Sequence, residues 1–413
     1  MRTFKRVLAA VIAVVLVLSV ASCSLTKEWS YKYGDKTYDI GVYIYALYSS
    51  YTTAQTYAAD AKGYKENESF MDLKIKDSDG KKAVARDWCN DKADEQCREL
   101  VALDKLIKDK NVKISKSDLE AAEEVCKNAW DMGPYAAYSA QYYNPIKSQV
   151  EDYGVSFDSF KQLFVSPVGN SIYALKTEKL FDALYGKGGS EEVPDKELTE
   201  FFTKNYVDYS CVPVNLYTSE TGDDGNAANK AFSSKKIKKI TAAMEALADQ
   251  INSGEIDFGN AGKTLEEDYS VSESDISTNK VDTLENLKSN NEDIYNALEK
   301  LETGKASVKT VGIDGDTPTA YLVVKNDVTK DTKDYIEGDN RTSVLQNMKS
   351  DDYKDYLKKE AKKIKDDKKF ERNDGAINGY QPDMFFKKSD ESSSSSGSDS
   401  DSDSDSDSGS DSE

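Results

Sequence analysis

The chain contains no histidine. That absence removes Ser-His-Asp and Cys-His nucleophile pairs, histidine-ligated zinc and the usual neutral-pH general base. Any chemistry must rest on cysteine, carboxylate, lysine or tyrosine. Cys211 lies within NYVDYSCVPVNLY, a run of β-forming residues from Asn205 to Tyr217. A cysteine so placed is a nucleophile, a ligand or small core filler. A reactive thiol needs a cation or a helix N-terminus beside it; the local sequence offers neither, so Cys211 is expected to be packing. Cys89, Cys97, Cys126 and Cys211 match no metal or redox spacing. Cys89 and Cys97 are about 12 Å apart along one expected helix, too far to bridge. Buried free thiols are expected, with a Cys97–Cys126 disulfide as the alternative. The carboxylate pairs Glu123–Glu124 and Asp223–Asp224 are adjacent in sequence, so they do not face one cleft and read as solvated charge. No phosphate loop, dinucleotide fingerprint or EF-hand loop occurs, and neither cofactor nor metal is expected.

Cys23 carries a different chemistry. MRTFKRVLAAVIAVVLVLSVASC places Arg2, Lys5 and Arg6 ahead of an apolar run from Val7 to Val20, with small residues before the cysteine. This is an export signal ending in a lipobox-like sequence, so residues 1–22 are expected to be removed and Cys23 lipidated. Acyl chains contribute about 0.8 kcal/mol per buried CH₂, so two or three of them anchor stably on the extracytoplasmic face of the cell membrane. An ordinary cleaved signal or a short membrane helix is the alternative. Mean hydropathy is −0.68, so no later segment is expected to span a bilayer. The net charge of −20 argues against nucleic acid as a partner.

The elements that must position these residues follow from periodicity. After Trp29 the sequence predicts strand, a turn at Gly34–Asp35, strand, and a helix capped by Asp39 with Tyr43, Leu47 and Tyr51 on one face. A polar loop is expected from Lys62 to Lys82, then helices carrying Leu100, Leu103, Ile107 and Leu119, Ala122, Cys126. Two tyrosine clusters stand out in this half: Tyr43, Tyr45, Tyr48, Tyr51, and Tyr135, Tyr138, Tyr142, Tyr143. Each tyrosine is read first as core packing, and none is singled out as a binding residue. Farther on, Ile237, Ile240, Met244, Leu247 and Ile251 step by three and four along a helix that Gly254 should terminate. Phe258, Ala261 and Leu265 begin a shorter helix, and a last strand runs from Ala320 to Val324. The middle region therefore reads as strand, three helices, strand, strand. Residues 330–369 are predicted helical. From Ser389 onward the chain is Ser, Asp, Gly and Glu, with nine acids and no bases; such a tail cannot bury a core and is expected to be disordered.

QINSGEIDFGNAGKTLEEDYS (Gln250 to Ser270), LEKLETGKASVKTV and AYLVVKND resemble, in order and spacing, segments of parvulin-type peptidyl-prolyl isomerases. YKYGDKTYDIGVYIYAL and VPDKELTEFFTKNY resemble the opening and the linker of SurA/PrsA foldases. The resemblance spans roughly Trp29 to Phe386. It implies an α+β architecture: a mostly helical chaperone domain formed from both chain ends (23–197 and 328–388), with a parvulin-like domain inserted at 198–327. It also implies two facing histidines on the first and last strands of the insert. Here those positions fall at Cys211 and Leu322, and the family's glycine-rich segment is missing from SVSESDISTNKVDTLENLKS. A degenerate parvulin site without catalytic residues is expected, with Pro213 requiring an edge position or a bulge. The implied function is a lipid-anchored extracytoplasmic chaperone for unfolded exported polypeptides. An active prolyl isomerase and a solute-binding or surface-interaction lipoprotein are the alternatives.

Overall fold

A computed structural model describes residues 28–387, apart from Ala137 and residues 222–226. The signal peptide, Cys23, the Asp223–Asp224 pair and the 389–413 tail lie outside the described residues. The fold is mixed α and β, and it divides into two compact units: residues 1–181 with 354–413, and residues 182–353.

The first unit begins with a hairpin, β1 (Trp29–Tyr33) and β2 (Lys36–Asp39), turning at Gly34 with φ 57°. Asp39 then starts α1 (Ile40–Ala59), accepting the Val42 N–H at 3.3 Å and the Ser159 hydroxyl at 2.6 Å. The first two turns of α1 are apolar all round, as expected of a helix buried on every side, and Ile40, Val42, Ile44 and Leu47 are fully buried. A short hairpin, β3 (Lys74–Lys76) with β4 (Lys82–Val84), occupies the end of the expected loop. Helix α2 (Ala85–Asp109) packs against α1. Then come α3 (Lys116–Asp131), capped by Ser115, and the shorter α4 (Lys147–Val150), α5 (Phe157–Leu163) and α6 (Ile172–Tyr185), whose residues from Asp182 on count with the second unit. The C-terminal segment completes this unit. Its strand Phe370–Arg372 pairs antiparallel with β1, and Ile364, Ile377 and Phe385 enter the same core as α1 and α2.

Two carboxylates hold the unit's polar seams. Asp94 accepts from the Tyr31 hydroxyl, Arg98 Nε and Arg372 Nε, each at 2.8 Å. Asp104 accepts from Lys176 Nζ and the Tyr38 hydroxyl at 2.7 Å, and from Lys36 Nζ. Burial opposes ionisation at both sites, but these donors outweigh it and hold both carboxyls below the ordinary aspartate range.

In the second unit α7 (Asp195–Asn205) leads into β5 (Tyr206–Asn215). A hairpin, β6 (Tyr217–Thr221) and β7 (Ala227–Ala231), follows it. Helix α8 (Ser234–Ser253) ends at Gly254 with φ 78°, and α9 (Phe258–Tyr269) follows. Next are β8 (Ser277–Thr283), α10 (Leu284–Asn290), α11 (Glu292–Lys300), β9 (Ala306–Val311) and β10 (Thr319–Lys325). The four-stranded antiparallel sheet has the order β8-β5-β10-β9. Helices α8 and α9 cover one face over Val212, Val214, Ala320 and Leu322; α10 and α11 cover the other over Val207, Tyr209, Cys211 and Val323. The unit extends to α12 (Arg341–Ile364), whose residues from Lys354 on count with the first unit. Arg341 ties the start of α12 to α7 by donating to Asp195 Oδ1 at 2.6 Å and to the Val193 carbonyl at 3.1 Å.

One expectation needs correction here, and one is met only locally. The polar stretch STNKVDT forms β8, an edge strand with one aliphatic residue and therefore no alternating pattern to reveal it. Pro213 lies in β5, a central strand. Leu216 N–H donates to the Pro318 carbonyl and Asn326 N–H to the Asp208 carbonyl, so even-numbered β5 residues bond toward β10 and the Pro213 nitrogen faces away. On that side pairing with β8 ends at Cys211↔Ser277, after a register shift. The missing donor thus faces no strand, and β5 is an edge locally.

Candidate functional site

The two positions at which the family resemblance puts its histidines are not brought together. Across β5 and β10, Leu322 pairs with Val212 and Val323 pairs with Cys211. Leu322 therefore belongs to the α8/α9 face and Cys211 to the α10/α11 face. The two share neither a cleft nor a common neighbour in those cores. Burial pushes the Cys211 thiol up to about 12, against a weaker pull from Lys280. At neutral pH the thiol is protonated and packed among Val207, Leu287, Ile294 and Leu298. There it fills space in the core between β5 and the α10/α11 helices.

Cys89, Cys97 and Cys126 are likewise buried and free, so the Cys97–Cys126 bridge is not formed. Burial raises all three thiols, Cys89 to about 12. Among the described residues no group of three or more Cys, Asp or Glu is placed to hold a metal ion, and no helix is long and apolar enough to cross a membrane.

The two tyrosine clusters separate cleanly. Tyr43, Tyr45 and Tyr51 of α1 are buried, and Tyr48 is half-buried. Tyr45 meets Phe160 edge-on at 5.0 Å, and Tyr51 lies 5.1 Å from Phe70. Tyr135, Tyr138, Tyr142 and Tyr143 are between 49 % and 70 % exposed, and Met132 beside them is exposed too.

This second cluster sits on a loop closed at its base. Gly133 N–H donates to the Ala129 carbonyl at 3.0 Å, and Asn144 N–H donates to the Met132 carbonyl at 2.9 Å. Gly133 has φ 109°, and a Cβ there would lie 2.6 Å from the Asn144 oxygen, so only glycine fits the crossing. Lys147 Nζ bonds Asp131 Oδ1 at 2.9 Å just outside it. Gln149 Nε2 donates to Asn144 Oδ1 at 3.0 Å and its Oε1 accepts from the Tyr48 hydroxyl, which fixes the base to α1. Such Ω-like loops have ends fixed by a scaffold and a tip free to meet a partner. Inside the loop, Tyr138 N–H bonds the Tyr135 carbonyl at 3.0 Å, and the two rings stack at 6.5 Å and 24°. Tyr135, Tyr138 and Tyr142 line an open depression of about 370 Å³.

The arrangement offers ring faces and hydroxyls. Reading tyrosine as core packing is correct for the first cluster and wrong for the second. One signal was available: no Asp, Glu, Lys or Arg occurs from Met132 to Ile146, in a chain that is 31 % charged. Exposed aromatic surface of this kind makes the loop a candidate contact surface. No protein-family model matches the chain, and no curated protein is similar to it in sequence.

Proposed function

We propose that the protein is a lipid-anchored, extracytoplasmic chaperone that holds unfolded exported polypeptides without catalysing prolyl isomerisation. The observation that carries this reading is the uncharged tyrosine loop of residues 132–144, closed at its base by backbone hydrogen bonds and exposed at its rings. A holdase needs modest affinity per contact over a surface that tolerates many sequences. Tyrosine supplies this, with a large apolar face, a polar tip and few rotatable bonds to order. The export signal and Cys23 would put that surface outside the membrane, where unfolded exported chains emerge.

The second unit is read as an inserted parvulin-like domain that has lost its active site. Supporting this, the first and last strands of its sheet, β5 and β10, are neighbours at the centre. Against catalysis stand the protonated Cys211 thiol and the opposite facing of Leu322. Two measurements test the proposal. Light scattering of a chemically denatured client, diluted into buffer with the protein, should fall in proportion to protein added. An NMR exchange assay on a prolyl peptide should show no rate increase at micromolar protein. A catalysed rate would restore the isomerase alternative. Undiminished scattering together with saturable binding of one small ligand would favour a solute-binding lipoprotein.

A further inference from the structure

We infer that the tyrosine loop takes extended polypeptide segments that carry arginine or lysine beside apolar residues, and that its rings read the cation. This rests on the client-binding reading and names the client's chemistry. An aromatic ring presents a negative face, over which a guanidinium or ammonium within about 6 Å is attracted. The fold uses this contact repeatedly for its own lysines: Lys236 Nζ lies 3.2 Å from the Phe232 ring centroid, Lys32 Nζ 4.1 Å from Trp29, and Lys161 Nζ 5.2 Å from Phe157. No cation of the described residues covers Tyr135, Tyr138, Tyr142 or Tyr143 in this way, although their rings are the most exposed aromatic surface described.

The surrounding charge points the same way. The carboxyl end of α3 precedes the loop, and Glu151 and Asp152 follow it exposed. The nearest lysine in sequence, Lys147, is neutralised by Asp131. With a net charge of −20, the whole chain attracts basic segments and repels a second copy of itself. An anionic lipid surface is disfavoured for the same reason, since the loop holds no Lys or Arg to meet headgroups.

The test compares three labelled, unstructured peptides of identical apolar content on the full-length protein, differing only in carrying arginine, its neutral isostere citrulline, or glutamate. Fluorescence anisotropy should rank arginine above citrulline by about two- to fivefold per cation engaged, with glutamate weakest. In Tyr135→Leu/Tyr138→Leu/Tyr142→Leu/Tyr143→Leu, which keeps apolar area but removes all four rings, the arginine preference over citrulline should fall by about twofold or more, leaving only what overall acidity supplies. Equal binding of the arginine and citrulline peptides to the wild type would overturn the inference while leaving the chaperone reading intact. Failure of all three to bind would overturn both. An arginine preference unchanged in the leucine variant would assign the selectivity to overall acidity and not to the rings. Co-sedimentation with phospholipid vesicles that the leucine variant loses would assign the loop to a lipid surface instead.

Discussion

Tyr43, Tyr45, Tyr48 and Tyr51 on α1 and Tyr135, Tyr138, Tyr142 and Tyr143 on the loop after α3 are the same residue at similar spacing, with opposite fates. What separates them is their neighbours. On α1 the tyrosines alternate with Ile40, Val42, Ile44 and Leu47, and the helix presents apolar surface in every direction, so α2, α5 and the C-terminal segment close over it. On the loop the neighbours are Gly133, Pro134, Ala136, Ser139 and Gln141, too small or polar to draw another element across. Tyrosine tolerates either outcome because its ring is apolar and its hydroxyl is not. The lesson is that aromatic content alone does not decide exposure; the residues around it in the sequence do.

Substitutions should separate the clusters by mechanism, and the largest effect belongs to the helix. Tyr45→Ala leaves a cavity against Phe160 and should cost about 3–5 kcal/mol in denaturant unfolding. If it costs no more than a loop substitution, the contrast fails. Asp104→Asn leaves the Lys36 and Lys176 ammonium groups without their shared carboxylate and should cost about 1–3 kcal/mol.

The same chemistry gives the first unit an acid limit. Asp94 and Asp104 have folded pKa values below their unfolded ones, so their contribution is complete above the ordinary value of about 3.9 and is lost as pH falls below it. Denaturant midpoints measured from pH 6 to pH 3 should therefore decline most at the acid end, and Asp104→Asn should flatten that decline.

Gly133→Ala probes the join between the clusters. Its positive φ and the contact with Asn144 should cost about 1 kcal/mol or more and loosen the loop, seen as faster amide exchange at Asn144. Tyr138→Ala should change stability by no more than about 0.5 kcal/mol, because its ring is mostly in solvent.

Much of the fold was legible in the sequence where local signals were complete. Asp39 and Ser115 cap the helices that their positions announce, Gly254 ends α8, and the Ile237–Ile251 seam faces the sheet. Strand β8 was not legible, because an exposed edge strand is held by backbone pairing and STNKVDT carries no apolar alternation. Nor was the separation of Cys211 from Leu322, since strand parity depends on register and a one-residue offset exchanges the faces. The loop's exposure was half legible. Its missing charge was visible, but the Gly133–Asn144 crossing that holds it out is a contact between residues whose meeting no local pattern predicts.

The central claim, that the loop tyrosines and not the helix tyrosines meet the client, has a direct measurement. Suppression of aggregation of a denatured client is compared between the wild type and Tyr135→Ser/Tyr138→Ser/Tyr142→Ser, with circular dichroism and thermal melting recorded on both. The account predicts unchanged spectra, a melting temperature within about 2 °C of the wild type and most of the suppression lost. Full suppression by the folded triple variant would contradict it.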